Sequence, residues 1–416
     1  MEKNNSVKDP LRIAAVTFLV LVALLICYGA VRKNLSRKAE ANSAPRYIFL
    51  FIGDGMGNSH VAAAESWLSW KKGQNGGEQL LFTTFPELAM MSTYSADHQV
   101  TCSSASATAF SCGIKTNNGF IGAAPDSLPA ESFAKGLHEK GYRVGIMSSV
   151  PINHATPAAF YAHQTDRYGY YPITLQLPAS GYEFFGGPGF AEFAGRNGDE
   201  EPSDVFLERN GYTVCHGPDE LRSNMDKPNL VFCDASNRGR SADEYSLDYD
   251  STRTPIADIL RLNLEYFGTE EPFFIMCEGG EIDWAAHENS VYPMVQAILR
   301  FNDAVAVAYE FYLSHPDETL IVVTADHETG GLAIGYDYSW HQSVQDWAAV
   351  EADWAEQGHR DTFGIEERLR RQNSWGFGWS TNEHTGAPVP VYAIGKHAER
   401  FNGRIDNTDI PRLITG

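Results

Sequence analysis

The feature that most limits how this chain can fold is a repeated unit: a continuous apolar run that stops abruptly at glycine or polar residues. The first is RYIFLFIGDGMG, in which Tyr47 to Ile52 end at Gly53, Asp54 and Gly55. YRVGIMSSV runs into NHATP, EPFFIMC into EGGEIDWAAH, and ETLIVVTAD into HETGG, and VPVYAIG comes near the end. Runs without apolar–polar alternation are the pattern of strands buried on both faces. Between them lie stretches such as NSHVAAAESWLSW, with a helix start signal at Asn58. The alternation predicts an α/β fold, a mostly parallel sheet covered by helices on both faces.

The polar residues fall in one place on that scaffold. Asp54, Glu278 and Asp326 each sit at or just past the carboxyl end of a run. In open α/β sheets this edge is where ligands bind. Three carboxylates there repel one another without a counter-charge, and a metal cluster supplies one. With 416 residues, 43% hydrophobic and 20% charged, the chain has globular composition and ample length for one large α/β domain or two ordinary ones. Its net charge of -21 argues against non-specific binding to nucleic acid or anionic membranes. An anionic substrate needs the local sign reversed by cations or arginines.

The amino-terminal segment is of a different kind. Ile13 to Val31 is an apolar run of 19 residues interrupted by Thr17, Tyr28 and Gly29, with Arg12 before it and Arg32, Lys33, Arg37 and Lys38 after it. It is long enough to span a bilayer and longer than a usual signal-peptide core. Residues 1–44 therefore read as a membrane anchor or uncleaved signal followed by a polar linker, and 45–416 as the catalytic domain. The flanking charges weakly favour the carboxyl side as cytoplasmic. An export anchor would instead leave the large domain periplasmic or extracellular, and that is the localisation expected here.

Metal-ligating residue types recur at suggestive spacings. In EGGEIDWAAH, Asp283 and His287 are spaced i, i+4, so a helix puts both on one face. TADHETGG sets Asp326 beside His327 in a glycine-permitted turn, and NEHTGAP carries His384 in a loop. Each piece alone is weak. Together Asp54, Asp283, His287, Asp326, His327 and His384 offer six N/O ligands, enough for two zinc-like ions with open positions. Two such ions roughly 4 Å apart suit in-line phosphoryl displacement.

With these motifs in order, IGDGMG, TCSSASATAFSCGIKTNNG, HATPAAFYAHQTDR, EGGEIDWAAH, TADHETGG and EHTG, the chain resembles the alkaline phosphatase family from Arg46 to its end. The resemblance implies a three-layer α/β/α sandwich with a central sheet of about ten strands. It implies a phosphate monoester hydrolase working through a phosphoserine, and often a homodimer. Carried over by motif, Asp283, His287 and His384 would hold one zinc. Asp326, His327 and Asp54 would hold a second. Asp54, Thr156 and Glu278 would hold a third metal, usually magnesium. Arg167 would bind two phosphate oxygens, a task its planar fork suits.

By the same resemblance the nucleophile is Ser103, and the local sequence agrees. SASATAFSC reads as a helix from about Ser103 to a cap at Gly113, placing Ser103 where backbone N–H groups favour an anion. Ser104 and Ser106 read as packing residues of that helix. The residue before the family serine is usually aspartate, which orients the arginine; here it is Cys102. A thiol makes no such salt bridge, so Arg167 is expected to be more mobile or held by another acid, and phosphate to bind more weakly. His154 and Trp284 occupy positions near the third metal that vary in the family. An imidazole there makes zinc or cobalt an alternative to magnesium.

The remaining features are weighed more simply. Trp340, Trp347, Trp354, Trp375 and Trp379 could line the mouth of a site, but QDWAAVEADWAEQ is helix-periodic and reads better as an insertion with its own small core. Cys215 and Cys233 lie in strand-like stretches, and spacing leaves their pairing open. No C-x-P-x-R pattern follows Cys102, so sulfatase chemistry is unsupported. Diesterase relatives usually use threonine and lack the third metal, whereas Thr156 and Glu278 are present. The competing readings are thus a phosphodiesterase of the same superfamily or a non-catalytic, membrane-tethered phosphate- or metal-binding protein.

Overall fold

A computed structural model describes residues 44–239, 253–335, 346–358 and 364–416. The apolar run Ile13 to Val31, Trp340 and Cys27 lie outside the described residues. Among the described residues no helix is long and apolar enough to cross a membrane.

From Pro45 onward the chain is one compact unit. Its strands are β1 (Tyr47–Gly53), β2 (Glu87–Ser92), β3 (Arg143–Ser148), β4 (Phe184–Gly187), β5 (Thr213–His216), β6 (Leu230–Cys233), β7 (Phe273–Gly279), β8 (Thr319–Thr324), β9 (Glu328–Thr329), β10 (Leu332–Ile334), β11 (Phe377–Trp379), β12 (His384–Thr385), β13 (Val389–Gly395) and β14 (Gly403–Asp406). Ten of them form a single sheet in the order β14-β2-β13-β8-β1-β7-β3-β4-β6-β5. Only β13 runs against its neighbours, pairing antiparallel with β2 and β8. The expected mostly parallel ten-strand sheet is the one observed.

The principal helices are α1 (Asn58–Lys71), α2 (Ser103–Cys112), α3 (Ile256–Phe267), α4 (Glu281–His287), α5 (Val291–Ser314) and α6 (Trp347–Glu356). Every residue of β1 and β7 is buried, which requires cover on both faces of the sheet. α5 packs against β1, β7 and β8 and against α1 and α3, while α2 packs on the short helix Ala155–Ala158 and near the carboxyl terminus. α2 ends where the sequence places its cap: Gly113 is left-handed at φ 70°, which glycine adopts without a Cβ penalty.

Cys215 and Cys233 are free thiols on adjacent strands. The register pairs Cys215 with Phe232 and His216 with Cys233, and side chains alternate faces along a strand. The two sulfurs therefore point to opposite sides of the sheet and cannot bridge.

The tryptophans pack inward. Trp347 is 2% exposed, meets Trp67 of α1 at 5.2 Å and Phe377 at 4.7 Å between ring centroids, and donates its indole N–H to Ser66 Oγ at 3.0 Å. α6 is the helix its periodicity predicts, but Trp347 and Val350 join the main hydrophobic core instead of forming a separate small one.

Candidate metal centre and active site

The sheet register brings the carboxylates together. Ile52 pairs with Glu278 on one side and with Thr324 on the other, so Asp54, Glu278 and Asp326 emerge side by side at the carboxyl edge of β1, β7 and β8. All three are fully buried. Burial and the mutual repulsion of Asp326, Asp283 and Glu278 push Asp54 well above the usual carboxylate range. Burial also pushes Glu278 up to about 7, although Ser148 Oγ bonds to it.

α4 then presents Asp283 and His287 on one face, as their spacing predicts. Asp283 Oδ2 lies 3.3 Å from His287 Nε2, and His384 Nε2 lies 3.7 Å from Asp283 Oδ1. Each imidazole is oriented from behind. His287 Nδ1 donates to the Asn382 carbonyl at 2.6 Å, and His384 Nδ1 to the Thr101 carbonyl at 2.9 Å. With Nδ1 protonated, both Nε2 lone pairs face inward, the arrangement that histidine ligands use. Burial would raise Asp283, but the His287 hydrogen bond and the surrounding imidazoles hold it far below its ordinary value. Burial pulls His287 down, yet Asp283 outweighs it and raises that ring to about 9.

Among the described residues three groups could hold a metal ion: Asp283, His327 and His384; Asp54, Asp326 and His327; and Asp54, His154 and Glu278. The second is one of the trios expected from the motifs. In the first, His327 stands where His287 is expected, but His287 Nε2 is 3.1 Å from His384 Nε2 and borders the same space. In the third, His154 joins Asp54 and Glu278. Thr156 is there too, fully buried, with Oγ1 lacking a hydrogen-bond acceptor or donor partner. Asp54 Oδ2, Asp326 Oδ2 and Glu278 Oε1 are likewise buried without hydrogen bonds. Orphaned buried carboxylate oxygens facing imidazole nitrogens are what bound cations satisfy, so the residues present fit metal ions.

Ser103 opens α2 beside these groups. Its Oγ is 3.5 Å from Asp54 Oδ1 and 3.3 Å from His327 Nε2. The helix is locked in place from its own interior: Ser106 Oγ donates to the Asp326 carbonyl at 2.8 Å and accepts from Asn407 at 3.0 Å. Ser106 is thus the packing residue expected.

Arg167 is half-buried, and its Nη2 lies 3.4 Å from His154 Nε2. Burial and Arg167 drive His154 down to about 3, so this ring is neutral. Cys102 is the non-helical residue before α2, and its Sγ accepts the Gly119 N–H at 3.2 Å and contacts Ser104 Oγ at 3.0 Å. Burial pushes the thiol up, but Arg167, Ser104 and nearby backbone N–H groups hold it below its ordinary value. The thiol is thus an electrostatic neighbour of Arg167, which from sequence is expected to be mobile or held by another acid.

Several orienting residues carry no sequence signal of their own. Thr329 Oγ1 bonds Asp283, and Ser148 Oγ bonds Glu278. Both are ordinary hydroxyl residues until the fold sets them beside a carboxylate.

Carboxylates and imidazoles gathered at the carboxyl edge of an α/β/α sheet, with a helix-initial serine among them, define a metal-dependent hydrolase. The chain belongs to the alkaline phosphatase family. The family model for alkaline phosphatase matches residues 45–186 and 244–416. Alkaline phosphatase 3 of Bacillus subtilis (strain 168) is 30% identical, over 88% of this chain and 87% of that protein. Among solved structures, the alkaline phosphatase of the Antarctic bacterium TAB5 is similar at TM-score 0.73 and 28% identity, over 89% of this chain and 98% of that one. The cold-active enzyme of Shewanella sp. is similar at TM-score 0.75 and 26% identity, with 89% and 98% covered. The protein is a phosphate monoester hydrolase.

Proposed function

We propose that hydrolysis proceeds through a phosphoserine at Ser103. The observation that carries this reading is the position of its Oγ, at a helix amino terminus and between Asp54 and His327 of the ligand groups. Ser103 Oγ loses its proton to solvent and attacks phosphorus, the P–O bond to the alcohol breaks and the leaving oxygen takes a proton from solvent, and water then cleaves the phosphoserine to release inorganic phosphate and restore the serine hydroxyl. The α2 backbone N–H groups and Arg167 hold the phosphoryl oxygens throughout. Asp54 Oδ1 and His327 Nε2 border the serine hydroxyl, so the nucleophile lies against the proposed metal ligands.

Two zinc ions are assigned to Asp283, His287 and His384, and to Asp54, Asp326 and His327. A third ion, magnesium, is assigned to Asp54, Thr156 and Glu278. His154 in that last group favours zinc or cobalt there as the alternative. Bound metals supply Lewis-acid activation of the nucleophile and stabilisation of the leaving oxygen. We further assign residues 1–44 to a membrane anchor or uncleaved signal with a linker, and 45–416 to a catalytic domain facing the periplasm or exterior. A homodimer is the assembly proposed.

The test is a panel of nitrophenyl mono-, di- and sulfate esters, assayed on protein of measured metal content. Monoester turnover fastest, with one phosphate trapped on Ser103, is the expected result. Faster diester turnover overturns the assignment.

A further inference from the structure

Behind the ligand groups lies a second buried polar cluster with no part in the chemistry proposed above. His60 is 0% exposed and Glu328 is 5% exposed. Glu328 Oε1 accepts the Gly331 N–H at 2.9 Å, and Oε2 accepts the Thr385 hydroxyl. The Gly57 N–H donates to His60 Nδ1 at 2.8 Å, which leaves the neutral ring's proton on Nε2, 3.7 Å from Glu328 Oε1. Burying a carboxylate is costly unless it organises donors around itself.

The donors it organises belong to segments that carry candidate ligands. Glu328 follows His327 and opens β9. Thr385 follows His384 in β12, and the β9–β12 ladder pairs Thr385 with Glu328 and His384 with Thr329. Gly57 and His60 belong to the turn into α1 that begins at Asp54. A methyl group at Gly57 would overlap Glu328 Cγ, although φ of -80° there suits any residue. Glycine at 57 is therefore required by Glu328 and not by its own backbone.

We propose that Glu328 is a positioning residue for the metal centre. Seated against Gly57 and His60, its carboxylate ties Thr385 and Gly331 together and so fixes the segments bearing Asp54, His327 and His384 relative to one another. The inference rests on the reading that those three residues hold metal. Residues behind a ligand typically change metal affinity by about 10- to 100-fold when removed.

The experiment uses the full chain, stripped and reloaded with zinc or cobalt(II). Zinc retention is measured against a chromophoric chelator and the cobalt visible spectrum is recorded, with thermal unfolding of each metal-free variant as the check on folding. Glu328→Ala is expected to weaken retention by about 10- to 100-fold and to change the cobalt spectrum. Glu328→Gln, whose amide can accept from Gly331 and meet Thr385, is expected to stay closer to the parent protein. Gly57→Ala, which displaces Glu328 without removing it, is expected to weaken retention as well, and it decides the matter if Glu328→Ala does not fold. Parental retention in Gly57→Ala or Glu328→Ala overturns the proposal. A parent protein that takes up neither metal overturns the underlying assignment of ligands.

Discussion

The Nε2 atoms of His287 and His384 approach to 3.1 Å, while each ring's Nδ1 is tied to a backbone carbonyl. Two lone pairs so placed repel unless a cation or proton lies between them. Stripping the metal therefore hands the site to protons. Folding holds His287 up at about 9 against an ordinary 6.5, and Glu278 up at about 7 against 4.5. A raised pKa means that the folded state binds more protons, so stability falls as pH rises through that window. His384, depressed to about 4, works in the opposite sense only below 6.5. The metal-free protein is expected to lose thermal stability steadily from pH 6.5 to 9, and restored zinc to flatten the slope. Thermal unfolding across that range, with and without metal, checks it.

Ser103→Ala removes the proposed nucleophile and leaves the candidate ligand groups intact. Turnover of p-nitrophenyl phosphate is expected to fall by about a thousandfold or more. Inorganic phosphate is expected to bind still, read as protection against thermal unfolding. Near-parental turnover in this variant removes Ser103 from the mechanism.

Cys102→Asp places a carboxylate where a thiol stands, at a position that Arg167 influences electrostatically. One added charge-assisted contact is worth roughly a tenfold change in affinity. The phosphate inhibition constant is expected to drop by about that factor, with slower product release at saturation. An unchanged constant shows that the residue at position 102 does not set phosphate affinity.

Trp347→Ala separates the two readings of the tryptophan-rich insertion. Emptying that buried position is expected to cost about 3–5 kcal/mol of stability. Because α6 covers α1 and not the ligand groups, kcat/KM for a small monoester at low temperature is expected to change little. A large loss of kcat/KM in still-folded protein returns the insertion to the mouth of the site.

Much of this was legible before any coordinates. Unbroken apolar runs require burial on both faces, so the sheet followed from residues such as Tyr47 to Ile52. The i, i+4 spacing of Asp283 and His287 and the Ser103–Gly113 helix were equally local signals. What sequence left hidden depends on contact between distant segments. The hold of Thr101 on His384 spans 283 residues, and that of Asn382 on His287 spans 95. Resemblance puts His154 near the third metal, but only packing decides that its ring stands within ligand distance of Asp54 and Glu278.

The ligand groups also fix an order of events in time. Asp54 comes from the first strand of the domain, while His384 is delivered by β12, just before β13 inserts between β8 and β2. During synthesis the early strands must wait, with their carboxylates gathered and unpaired, for a histidine near the end of the chain. Long-range closure of this kind is slow and late. On the proposed ligand assignment the centre closes only once His384 is in place, and a chain truncated before His384 would have the carboxylates without the means to finish it.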